Sequence, residues 1–119
     1  AVYVAPIKNA DGSYVKPTIE SISESAAHVA LPDDFRVSIT NASGKDAYPI
    51  SAFTYLLVYQ DQPDAAKGKD LIEFIWWAEH DGQKLAKPLD YAPLPKAVVD
   101  KVEKTLKAIT IKGQKGPLK

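Results

Sequence analysis

The chain has 119 residues, 45% of them hydrophobic, and its 15 basic and 15 acidic residues give a formal net charge of zero. This composition suits a single globular core, and the balanced charge excludes the basic surface expected of a nucleic-acid-binding protein. The lack of cysteine excludes disulfides, thiolate metal sites and a cysteine nucleophile, and no apolar run is long enough to embed the chain in a bilayer.

The first 47 residues predict strands around one helix. Residues 2–7 are strand-like, with Pro6 marking the strand end or an edge, and residues 14–15 resume a short strand after a turn. A helix is predicted to start at Pro17, because proline suits the first helical position. Its apolar stripe is predicted to consist of Ile19, Ile22, Ala26 and Val29. Residues 35–39 then alternate apolar and polar side chains, which predicts a half-exposed strand.

Residues 53–59 carry the densest apolar run of the chain. Phe53, Tyr55, Leu57 and Tyr59 alternate with Thr54, Leu56 and Val58, so both faces of a strand would be apolar. This pattern is typical of an internal strand with helices on both sides, and the β-branched and aromatic content disfavours a helix. We therefore predict a central strand here, entered after Pro49.

The remaining residues predict covering helices and a tail. A turn at residues 60–64 leads into a helix that carries the apolar run Phe74–Ala78, and residues 89–95 form a stiff, proline-rich linker. A last helix is predicted to begin at Pro95, and residues 110–119 are predicted to be a loosely ordered tail. The stripe of this last helix is predicted to contain Val99, Val102, Leu106 and Ile109.

The residue types that carry chemistry are few and scattered. His28 and His80 have no second ligand at metal spacing, so we predict no metal site. Glu20 and Glu24 lie four residues apart on a predicted helix, where a solvated face is the better interpretation than a carboxylate pair. The Asp33-Asp34 pair is interpreted as a helix exit and not as an acid/base couple.

Other motifs are equally unspecific. Adjacent helical residues point about 100° apart, so Trp76 and Trp77 cannot form one stacking platform, and core packing is the better interpretation of the pair. The glycines at 44, 68 and 82 are too far apart for a phosphate-cradling loop, and no Gly-x-Ser-x-Gly motif occurs. We therefore predict no catalytic site, no cofactor and no enzymatic activity.

Several segments, in this order, resemble the carboxyl-terminal part of the phosphate-binding proteins of bacterial ABC transporters. The most specific are Ala47-Tyr48-Pro49-Ile50 and Tyr91-Ala92-Pro93-Leu94-Pro95, and the resemblance covers nearly the whole chain. The other matching segments are Lys16-Pro17-Thr18, Tyr55-Leu56-Leu57-Val58, Lys67-Gly68-Lys69, Phe74–Ala78, Asp81-Gly82-Gln83 and Val98-Val99.

The resemblance implies an α/β fold, namely part of a two-lobed periplasmic binding protein of type II, with mixed sheet strands flanked by helices. Residues 1–47 then correspond to the end of the second lobe. Residues 48–119 correspond to the returning half of the first lobe, with Tyr48-Pro49 near the hinge. The implied function is capture of phosphate for an ABC permease, outside the cytoplasm.

The implied phosphate ligands lie in an amino-terminal part that is absent from these residues, so no ligand-binding residue is assigned, and Arg36 stays unassigned. A chain that starts Ala-Val-Tyr-Val and lacks methionine is expected to begin inside a longer precursor. The implied partners are this amino-terminal part, phosphate bound through it, and the permease. The alternative is a stand-alone interaction module that keeps the scaffold but has no ligand site.

Overall fold

The structure, a computed structural model, describes residues 3–119. It contains three α-helices, two short 3-10 helices and five two-residue strands, so the α/β class with mixed strands is confirmed. The predicted strand at residues 2–7 is wrong over residues 3–6, and Val2 lies outside the described residues. Strand β1 starts only after Pro6, at Ile7–Lys8, and pairs antiparallel with β2, Tyr14–Val15.

Helix α1, Ile19–Ala27, starts two residues later than predicted because Thr18 and Ser21 cap it. The Thr18 hydroxyl accepts from the Ser21 backbone N–H at 3.2 Å, and Ser21 Oγ accepts from the Thr18 N–H at 2.9 Å. This reciprocal box leaves Pro17 outside the helix. Of the predicted apolar stripe, Ala26 is buried and Ile19 and Ile22 are half-buried, whereas Val29 lies beyond the end of α1. The prediction missed the two buried serines, Ser21 and Ser25.

The buried serines attach α1 to the segment that follows. The Tyr48 N–H donates to the Ser21 carbonyl at 3.0 Å, and the Tyr48 carbonyl accepts from both Ser25 Oγ and Ser51 Oγ at 2.8 Å. Ser51 Oγ also bonds to Ser25 Oγ at 3.2 Å. Because buried hydroxyls need partners, this face of α1 is polar and fully bonded.

In the second part of the chain, two parallel strands are connected through two α-helices. Strand β3, Asp61–Gln62, leads into α2, Ala65–Glu79, which Asp64 caps by accepting from the Lys67 N–H at 2.9 Å. Two 3-10 helices, Asp81–Leu85 and Lys87–Leu89, connect α2 to α3, Lys96–Lys107. Strand β4, Thr110–Ile111, then pairs parallel with β3.

The predicted loose tail is wrong, because residues 110–115 form a hairpin. Strand β5, Gln114–Lys115, pairs antiparallel with β4 across Lys112-Gly113, whose φ angles are 49° and 74°. Two consecutive positive φ angles belong to the tight hairpin turn that glycine favours. The core beside this hairpin consists of Ile72, Ile75, Leu106 and Ile109, with Val58, Trp76, Val102, Ile111 and Leu118 packed against it.

Two further predicted strands, residues 35–39 and 53–59, are irregular in this structure. Phe35 has a φ of 58°, which is incompatible with an extended start. Within the described residues, no backbone group of residues 36–40 or 52–58 forms a hydrogen bond with another backbone group. Because a strand exists only when a neighbour pairs with it, the predictions of a strand at 35–39 and of a covered strand at 53–59 are wrong for this chain.

The chain exposes more surface than a self-contained domain of its mass. Its accessible surface is 8245 Å², whereas a folded monomer of this size exposes roughly 6,300 Å². Its radius of gyration is 16.7 Å, against about 13.5 Å for a compact domain of this length. The excess of about 1,900 Å² exceeds the roughly 800 Å² that each partner buries in a standard protein interface. Packing in the chain is therefore incomplete.

Candidate functional site

An apolar groove of about 800 Å³ lies over helices α2 and α3. One wall consists of residues 34–38 and the other of residues 53–58, while side chains of α2 and α3 form the floor. Floor residues are Ile75, Glu79, Val98, Val102, Thr105, Leu106 and the adjoining Ile109. The two segments predicted to be strands therefore line the same groove without pairing.

Exposure along the two walls shows what the groove lacks. In the first wall Phe35 and Val37 are half-buried and Ile39 is buried, so the predicted alternation is confirmed although the strand is not. In the second wall Leu57 is 98% exposed and Leu56 is 65% exposed. One direct bond joins the walls, from Tyr55 Oη to the Val37 carbonyl at 2.9 Å. Large apolar side chains thus face solvent beside unpaired backbone, which is typical of a surface that another segment covers.

The acidic candidates are engaged in separate ion pairs. Lys101 Nζ lies 3.0 Å from Asp33 Oδ1 and also donates to the Leu31 carbonyl, and Arg36 Nε donates to Asp34 Oδ2 at 2.8 Å. Hydrogen bonds from these cations lower the pKa of both carboxyl groups. Two ionised, separately paired aspartates cannot exchange a proton at neutral pH. This geometry does not support acid/base chemistry at Asp33 and Asp34.

Glu24 Oε1 lies 2.6 Å from His28 Nε2, and its side chain is 43% exposed. Glu20 is exposed as well, which agrees with the interpretation of these two residues as a solvated helix face. His80 lies at the end of α2, far along the chain from His28, and contacts Trp76 and Glu103. Within residues 3–119, no group of three or more His, Asp or Glu side chains is placed to hold a metal ion.

The two tryptophans point in different directions, as predicted. Trp76 stacks on His80 with ring centroids 4.3 Å apart, whereas Trp77 pairs with Phe74 at 5.9 Å. Phe74 and Trp77 are 59% and 45% exposed, so the interpretation of the pair as core packing is wrong for Trp77. Trp76 packs against the core.

Side chains already cap the amino ends of two of the three described α-helices, whereas the amino end of α3 has no side-chain cap. The amino ends of α1 and α2 are capped by Thr18 and Asp64, and a carboxylate cap repels phosphate. The side chain of Arg36 is 86% exposed and paired with Asp34. Gly68 packs against Gln62 and Gly44 lies beside His28, so these glycines do not form one loop. The geometry therefore contains no phosphate-binding arrangement that we can assign among the described residues.

Sequence reasoning missed the polar contacts that organise residues 3–51. Asn9 is buried and its Nδ2 donates to the carbonyls of Gly44, Lys45 and Ala47 at 2.9–3.1 Å. Its Oδ1 accepts from the N–H groups of Asp11 and Ser13. These bonds link the β1–β2 turn to the loop before Tyr48. A turn asparagine was visible in the sequence, but its distant partners were not.

None of the described helices is long and apolar enough to cross a membrane. No profile of a known protein family matches the chain. Individual relatives do: the phosphate-binding protein PstS of Xylella fastidiosa is 37% identical over 99 residues, which are 82% of this chain and 27% of that protein. PstS of Haemophilus influenzae is 33% identical over 82% of this chain and 30% of its own length.

The chain therefore spans less than a third of the PstS relatives that it matches. A protein with a different description, the phosphopentomutase of Clostridium acetobutylicum, is 34% identical over 75% of this chain and 23% of its own length. The PstS similarity extends over more of this chain than the phosphopentomutase similarity does.

Proposed function

This chain is a PstS-like segment, and from that relationship we propose that it is the carboxyl-terminal part of an extracytoplasmic protein that captures inorganic phosphate for an ABC importer. The observation that carries the proposal is the similarity to PstS over 82% of the chain. We further propose that the chain is a binding component and not an enzyme. Its working location is then the periplasm or another compartment outside the cytoplasm, beside the permease.

The proposed division of labour assigns a scaffold role to these residues. Residues 1–47 are proposed to be the end of one lobe, and residues 48–119 the returning half of the other. The hydrogen bonds of Tyr48 to α1 attach the start of the second part, residues 48–119, to the first part, residues 1–47. Phosphate ligands are proposed to come from the amino-terminal part of the same protein, since no anion site is assigned in this chain and its own side chains cap the amino ends of α1 and α2.

The exposed groove supports the proposal that another segment covers this chain. Its two walls carry strand-like sequence with free backbone groups, and the chain exposes about 1,900 Å² more than a monomer of its mass. We propose that the amino-terminal part supplies neighbouring strands to these walls. Pairing would satisfy the free backbone groups and bury Leu56 and Leu57, which gives both hydrogen bonds and hydrophobic stabilisation.

The second candidate is a stand-alone interaction module without a ligand site. The exposed groove and the exposed Phe74 and Trp77 favour it, since such apolar surfaces suit a partner protein. The native mass separates the two proposals. A species much larger than 13.0 kDa supports the binding protein, and a lone species of 13.0 kDa supports the module.

Phosphate titration tests the proposed function. We expect the native-length protein to bind phosphate saturably in a calorimetric titration, and residues 1–119 alone to give no saturable heat. The reason is that these residues hold no assigned anion site. Arg36→Gln in the native-length protein is the matched control, and it should leave the affinity unchanged because Arg36 is exposed and paired with Asp34.

Saturable phosphate binding by residues 1–119 alone would show that the site is misplaced. A native-length protein that binds no phosphate would contradict the proposed function and favour the interaction module.

A further inference from the structure

His80 joins the end of α2 to α3 through both nitrogens of its ring. Nδ1 lies 2.6 Å from the Trp76 carbonyl oxygen, and Nε2 lies 2.9 Å from Glu103 Oε1. The ring also stacks on the Trp76 indole at a centroid distance of 4.3 Å and an interplanar angle of 26°. The His80 and Glu103 side chains are 33% and 28% exposed, so water reaches them only in part.

Both partners of the ring are acceptors. A backbone carbonyl has no proton to give, and an ionised carboxylate has none either. A neutral imidazole carries one N–H and can donate to only one of them, whereas an imidazolium donates to both. The observed pair of contacts is therefore complete only when the ring carries two protons.

The charges around the ring favour the imidazolium. Glu103 faces it from α3, Asp81 from the following 3-10 helix, and Glu79 precedes it in α2. The opposing cation is Lys107 of α3, whose Nζ lies 5.4 Å from the centroid of the Trp76 ring. The hydrogen bond to the Trp76 carbonyl, and then the one to Glu103, raise the pKa of His80 above its ordinary value, while burial lowers it only partly.

We propose that His80 is a proton-dependent clamp between α2 and α3, closed at both nitrogens when the ring carries two protons and open at one when the ring is neutral. The clamp lies at the start of the connecting segment, because the first of the two 3-10 helices begins at Asp81, directly after His80. Loss of a proton would loosen the α2–α3 junction beside the groove floor.

The direction of the pH effect follows from the raised pKa of His80. The clamp's contribution to stability is fully present below the ordinary histidine pKa of 6.5 and is lost as the pH rises through the higher pKa of the folded state. Alkaline conditions therefore open the clamp, and acidic conditions close it.

An NMR titration of the histidine rings in the native-length protein tests the clamp. We expect His80 to titrate above 6.5, and Glu103→Gln to lower its midpoint, since the amide keeps the shape of the side chain but removes its charge. Glu24→Gln is the matched control: it removes the carboxylate that contacts His28 and should leave the His80 titration unchanged.

Unfolding measurements on His80→Gln supply a second readout. The loss in melting temperature relative to the unmodified protein should be larger at about pH 5.5 than at about pH 8.5, because only the protonated ring closes the clamp. An equal loss at both pH values would show a packing role alone and overturn the proposal. A His80 midpoint at or below 6.5 in the unmodified protein would overturn it as well.

Discussion

Replacing Ile72 by alanine is expected to lower the free energy of unfolding of the native-length protein by about 2–5 kcal/mol. Ile72 has no exposed surface, and it is the centre of the cluster with Ile75, Leu106 and Ile109. Alanine would leave a cavity between α2, α3 and the β4–β5 hairpin, which the surrounding backbone closes only in part. Urea denaturation of the variant and the unmodified protein measures the difference.

Leu71→Ala is the matched control, since it removes the same number of carbon atoms from the neighbouring helical position. Leu71 is 37% exposed, so its truncation should cost clearly less than that of Ile72. Equal costs at both positions would mean that the core described here does not centre on Ile72.

Replacing Leu57 by aspartate distinguishes the packing of this chain alone from the packing of the proposed whole protein. Leu57 is 98% exposed in this chain. If nothing covers the groove, the aspartate should therefore change the free energy of unfolding by no more than about 0.5 kcal/mol. If strands of the amino-terminal part cover residues 53–58, the same aspartate becomes a buried, unpaired charge. We then expect a loss of about 3 kcal/mol or more in the native-length protein.

Leu85→Asp provides the control for this substitution. Leu85 is 56% exposed and does not line the groove, so the same chemical change should have a small effect there. Comparable, small losses at Leu57 and Leu85 would contradict the proposed covering of the groove.

The helices were predictable because their signals are local. Apolar spacing and proline positions predicted α1, α2 and α3, and each helix makes its own backbone bonds. The first residue of α1 was missed because the Thr18–Ser21 box decides it, not Pro17. The burial of two serines of α1 was also missed, because Ser25 Oγ and the Ser21 carbonyl bond to Tyr48, a residue more than 20 positions away.

Strands were predicted less well because their stability depends on neighbours. Residues 53–59 have the composition of a covered strand, but within the described residues no segment pairs with them. The tail shows the opposite error: Lys112-Gly113 is a local turn signal, and its hairpin carries Ile111 onto the core. The turn at Lys112-Gly113 was visible in the sequence. The tail was nevertheless predicted to be loosely ordered, because chain ends are commonly flexible.

For the candidate site as well, local features could be predicted from the sequence and contacts between distant segments could not. The scattered histidines and carboxylates predict no metal site, and this absence stays a prediction. The groove could not be predicted, because it arises from two irregular segments that meet over α2 and α3. The His80–Glu103 contact was invisible for the same reason, as its partners lie 23 residues apart on different helices.

Amide hydrogen exchange at Leu56, Leu57 and Val58 in the native-length protein tests most directly whether this chain is completed by the rest of a PstS-like protein. We predict strong protection, close to that of the most stable amides of the protein, because paired central strands open only on global unfolding. Rapid exchange at these three amides, at the rate of an unpaired surface segment, would contradict the proposal.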